Sequence, residues 1–118
     1  MMNGRVRFVS LIVLASALAG GCSARREREA ILKQDLRMMR EAIDKYTFDK
    51  KQAPQSLQDL VNGHYLKEIP TDPVTREKDW VPYFSETVPT TDQTVTGIAD
   101  VHSNSTQVGS NASAYNIW

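Results

Sequence analysis

Leu32, Leu36, Met39, Ile43 and Tyr46 recur at alternating steps of four and three residues. That spacing puts all five on one stripe of an α-helix, and it predicts a single amphipathic helix from Glu29 to about Lys50. Ile31, Met38 and Ala42 are expected to widen the stripe. The other face carries Lys33, Asp35, Arg37, Arg40, Glu41, Asp44 and Lys45. Within it, Arg37 to Glu41 and Arg40 to Asp44 have the four-residue spacing at which opposite charges meet. Met38 and Met39 read as core filler, because a flexible thioether at helical spacing packs far more often than it ligates.

The helix is expected to stop where Lys50, Lys51 and Gln52 lead into Pro54, since the residue before a proline is pushed out of helical geometry. Ser56 then offers an N-cap and Asp59 a capping-box partner for a short helix with Leu57, Leu60 and Val61 on its apolar face and Gly63 at its end. Tyr65, Leu66 and Ile69 read as buried, ahead of a turn at Pro70, Asp72 and Pro73 and a polar loop from Thr75 to Asp79. Beyond Asp79 the pattern changes to short strands: Trp80 to Phe84, with Pro82 marking an edge; Gly97 to His102, with Ile98 and Val101 inward; and Ala114 to Trp118. The fold class that follows is α+β, a long N-terminal amphipathic helix packed on a small antiparallel C-terminal sheet.

Ahead of the helix, Arg5 and Arg7 precede an apolar run from Phe8 to Ala19, and Gly20 and Gly21 lead into Cys22, the one cysteine of the chain. This is the order of a secretory signal, and its apolar segment falls short of the roughly 20 residues that span a bilayer. The ending LAGGC resembles a bacterial lipobox, which makes residues 1–21 a lipoprotein-type signal peptide, Cys22 a lipid anchor and residues 22–29 a membrane-proximal tether to a domain over 30–118. An uncut signal anchor is the alternative, with a soluble cytoplasmic protein behind it. Arg25, Arg26 and Arg28 stand beside the anchor and could touch anionic head groups, but Glu27 and Glu29 among them favour a solvated helix start.

The expected partner is therefore a membrane, reached through lipid on Cys22, in the cell envelope and facing the periplasm. Without Arg5 and Arg7 the 14 basic and 14 acidic residues become 12 and 14, and that balance argues against nucleic acid. His64 and His102 are the only imidazoles, and the sequence has neither a phosphate loop nor a nucleophile motif. Asp72, Glu77 and Asp79 read as a solvated turn rather than an acid–base set. No enzymatic activity and no small-molecule substrate are expected.

Residues 30–73, AILKQDLRMMREAIDKYTFDKKQAPQSLQDLVNGHYLKEIPTDP, resemble the helix and following loop of the major pseudopilin of type II secretion, the G component. Trp80 after the proline turn, GIADV over 97–101 and the aromatic Trp118 continue the likeness, most specific from Asp35 to Pro73. The resemblance implies a pilin-like domain and an exported, membrane-anchored subunit that packs with other pseudopilins or secretion-apparatus proteins. The alternative is a periplasmic lipoprotein that uses such a domain as a protein-binding module. Two features depart from the family. Gly4 is followed by Arg5 with no acidic residue before Glu27, so the prepilin leader is replaced. The calcium loop implied by the family would fall at Asp100 to Ser113, where Asp100, with Asp92 nearby, is a weak carboxylate set for an ion that takes six to eight oxygens. No other metal or cofactor is expected.

Overall fold

The computed structural model describes the backbone of residues 3–85, 89–90, 93–94 and 96–118, and side chains for 23–85 and 96–118. The lipid-anchor reading of Cys22 and the calcium reading of Asp92 fall on side chains outside those residues. The first helix, α1, runs from Asn3 to Lys50 and so begins well before Glu29. Residues 22–29 contain no proline or glycine and are rich in Arg and Glu, so the segment expected as a tether has every reason to remain helical. Among the described residues no helix is long and apolar enough to cross a membrane.

Leu32, Leu36, Met39, Ala42 and Ile43 are buried and form the helix side of the core. Ile31 and Met38 do not join them: they stay 46% and 42% exposed, because a domain this small covers only one narrow stripe of the rod. After α1, Lys51 turns the chain at a positive φ of 55°, and Ala53 and Pro54 are buried beneath the sheet. The second helix, α2, spans Leu57–Asn62. Its capping box is formed: Ser56 Oγ accepts from the Asp59 N–H at 3.3 Å, and Asp59 Oδ2 accepts from the Ser56 N–H at 3.3 Å. Leu60 and Leu66 are buried against α1, while Tyr65 is half-buried with its ring edge-on to Tyr46, centroids 5.3 Å apart.

Strand β1, Val81–Ser85, pairs antiparallel with β4, Gly97–His102; two-residue strands β2, Pro89–Thr90, and β3, Gln93–Thr94, pair with each other. β1 has β4 as its one described neighbour, which is where a strand can tolerate Pro82. Ile98 and Val101 face the core from β4, on either side of a shift in register opposite Tyr83 and Phe84. Gly97 is needed for close approach: a Cβ there would lie 2.7 Å from Ala53 Cβ and 2.9 Å from the Pro54 carbonyl oxygen. That clearance lets the Ile98 N–H reach the same carbonyl at 2.8 Å and fasten β4 to the end of α1. On the other side of the core, Trp80 is buried and donates through Nε1 to the Pro70 carbonyl at 2.7 Å.

The third expected strand is absent from the described residues 114–118. Ala114 makes one bridge to Val108, and Tyr115–Ile117 is a single 3₁₀ turn. Packing explains the difference, since the turn brings the Tyr115 and Trp118 rings edge to face at 4.8 Å over Gly109. A Cβ on Gly109 would stand 2.5 Å from the Trp118 ring, so only glycine lets the aromatic pair settle there.

Candidate assembly surface

Two polar clamps tie α1 to β4 and the segment after it, one ahead of the buried apolar stripe and one alongside it. At the N-terminal end the centre is Glu29, 7% exposed despite being a carboxylate in a charged run. It accepts from the Ser110 N–H at 2.8 Å, from Ser110 Oγ at 2.5 Å and from the Tyr115 hydroxyl at 2.9 Å, and Arg25 Nε lies 3.5 Å away. The Ser110 hydroxyl chiefly, with its N–H, Tyr115 and Arg25, outweighs the cost of burial and holds the Glu29 pKa down at about 2. The expectation of a solvated helix start is therefore corrected at Glu29, which became a buried anchor because donors on a distant loop come to it. Its neighbour Arg25 also donates to the Val108 carbonyl at 3.2 Å.

Alongside the stripe Arg40 works as a fork. Its Nε donates to Asp100 Oδ1 at 2.8 Å, and Nη2 donates to the Val101 and Trp118 carbonyl oxygens at 3.1 and 2.5 Å. Among the described ion pairs neither Arg40 to Asp44 nor Arg37 to Glu41 appears; the guanidinium reaches across to β4 instead. A planar donor set facing a carboxylate and two carbonyls is a better match than one exposed side chain on the same helix. Asp100, the calcium candidate, thus gives one oxygen to Arg40 and the other to His102 Nε2, 3.2 Å away. Burial raises its pKa, but the Val101 N–H, Arg40 and His102 together lower it further. Among the described residues no group of three or more His, Cys, Asp or Glu side chains converges as a metal site would require.

The proline loop also departs from expectation. Asp72 is fully buried, not solvated, and accepts from the Val74 N–H at 2.8 Å, the Thr75 N–H at 3.3 Å and Ser103 Oγ at 2.6 Å. A short carboxylate closing its own turn while a serine from after β4 satisfies its other oxygen is a structural staple. Asp79 accepts from Thr75 Oγ1 and Asn104 Nδ2, and its pKa is lowered, chiefly by the Thr75 hydroxyl. Asp35 on α1 is half-buried, and its pKa is raised by burial and by the charge of Asp72.

These contacts decide which parts of the helix remain for partners. Leu32 and Met39 are fully buried, and Leu36 and Ile43 nearly so, while Tyr46 is half-buried against Tyr65, so the stripe serves the chain's own core. On the upper helix Leu32 is buried and Asp35 half-buried, and Ile31 is left exposed. Ile31 and Met38, one heptad apart, stay exposed along one flank of the stripe, and Phe48, 74% exposed, lies on another side of α1. On the opposite flank of the stripe an open groove of about 560 Å³ runs between α1 and the last turn, lined by Lys33, Arg37 and Arg40 on one wall and Ile117 and Trp118 on the other. Lys33 Nζ sits 5.0 Å from the centroid of the Trp118 ring. Compared with protein-family models, curated proteins and solved structures, the chain gives no match.

Proposed function

We propose that this chain is a pseudopilin-like component of a type II secretion apparatus, anchored in the cell envelope through lipid on Cys22, with its pilin-like domain facing the periplasm and a structural role in assembly. The observation that carries this reading is the division of α1. Its inner stripe is consumed by the sheet and the last turn, while Ile31 and Met38 stay exposed on a helix continuous with the N-terminal segment. A subunit built to stack through its helix needs that arrangement, because a repeating contact must use a surface the fold has left free. The family-like block from Asp35 to Pro73 supports the same reading.

A second reading, a lipoprotein that binds one different protein through this face, is favoured by the lipobox-like LAGGC and by the short apolar run. Cysteine pairs placed at outward positions of residues 27–41 and crosslinked in cells separate the two. A regular ladder of oligomers is expected for a stacking subunit. A single adduct with another protein would establish the adaptor, and no adduct at all would overturn both. Mass spectrometry of the membrane-extracted chain is expected to find Cys22 as first residue with acyl mass; an intact N-terminus would remove the anchor from the proposal.

A further inference from the structure

Arg25 and Arg28 are three positions apart and therefore neighbours on α1. Together they line a cavity of about 210 Å³ whose other walls are Val74, Gln107, Val108 and Tyr115. The acidic residues that should cancel them do not face it equally. Glu27, two positions from Arg25, lies on another side of the helix. Glu29 touches Arg25 at 3.5 Å but is committed to Ser110 and Tyr115. Arg25 keeps half of its side chain exposed, and Arg28 makes no hydrogen bond or ion pair among the described residues.

The geometry points to this cavity as a site for the phosphodiester of an anionic phospholipid head group. Two guanidinium groups one helical turn apart match the several oxygens of a phosphate better than a single ammonium would. Position selects the lipid as source. Six helical steps separate Cys22 from Arg28, about 9 Å along the axis, which is slightly more than the depth of one head-group layer. The orientation rests on the anchor proposed at Cys22, and the acyl-mass measurement tests that anchor separately. The head group would then fix the angle at which α1 leaves the membrane, which a flexible lipid tether alone does not.

The test is native mass spectrometry of the full chain in detergent micelles, given equal amounts of phosphatidylglycerol and phosphatidylcholine. Phosphatidylglycerol adducts should exceed phosphatidylcholine adducts about fivefold or more, the ratio that one arginine at a head group supplies. Arg28→Gln should bring the two near parity, because the remaining Arg25 is already drawn to Glu29 and the Val108 carbonyl, and it should not lower the melting temperature, because Arg28 has no described internal partner. Arg37→Gln, equally basic but on the groove, should keep the preference. Parity in the parent chain, a preference that survives Arg28→Gln, or an equal loss in Arg37→Gln would each overturn the site. Displacement of phosphatidylglycerol by excess inorganic phosphate would assign the cavity to the free anion and overturn the lipid as occupant.

Discussion

The clamp at Glu29 and the clamp at Arg40 do the same job with opposite chemistry. At Glu29 an acid is sealed from water and satisfied mainly by neutral hydroxyls and an N–H. At Arg40 a base meets a carboxylate that stays 42% exposed on its side chain. The sealed version depends on every donor being present, since an unmet buried group costs its full desolvation. The open version can borrow water, so losing one partner is milder. What separates them is how much of the last turn lies overhead: Tyr115 closes over Glu29, whereas Arg40 borders the groove.

Breaking what the two clamps share should have the largest effect. Leu32→Ala or Leu36→Ala removes apolar volume between them and is expected to cost about 2–5 kcal/mol, read by urea unfolding. Glu29→Ala comes next. It leaves the buried Tyr115 hydroxyl without an acceptor and frees the exposed Ser110 donors to water, about 1–3 kcal/mol. The pH dependence sharpens the contrast. With a folded pKa near 2 against an ordinary 4.5, the Glu29 carboxylate stabilises the fold above about pH 4.5, and that contribution fades as pH falls from there towards 2. Glu29→Gln should flatten this limb of the stability profile, and an unchanged limb would show that the acid is not sealed.

Arg40→Gln should cost about 1–2 kcal/mol, raise the Asp100 pKa in an NMR titration and remove a salt dependence that the Glu29 clamp lacks, because screening reaches exposed pairs and not buried ones. The smallest expected change is favourable. The Asp35 pKa is raised by burial and by Asp72, so ionisation there opposes folding increasingly as pH rises through it. Asp35→Asn is therefore expected to stabilise the domain at neutral pH by about 0.5 kcal/mol, measured as a higher melting temperature.

Period and punctuation made the helix stripe, the Ser56 capping box, the strand at 97–102 and, one residue off at each end, the strand at 81–85 legible, because each is written in residues close together in the chain. The clamps were not, since Glu29 meets Tyr115 86 positions away and Arg40 meets Asp100 60 positions away. A carboxylate in an Arg-rich run and an arginine four residues before an aspartate both carry a stronger local explanation than the long-range one that prevails. Asp72 misled in the same way, as its partner Ser103 lies 31 residues on. The last strand failed for another reason: Tyr115, Ile117 and Trp118 have strand-like composition, but Gly109 beneath them lets a turn bury two rings at once.

The distance between Glu29 and its donors also sets an order of events. α1 is made first, and until residues 110–115 arrive its carboxylate stands in water with nothing overhead. Closing that span is a non-local step, which loop entropy makes slow and which no early segment can replace. The hydroxyl of Tyr115 is thus a latch fastened after the sheet residues have emerged. If the chain is exported N-terminus first, as the proposed function requires, such a latch would keep the domain from locking during passage and leave completion to the far side of the membrane.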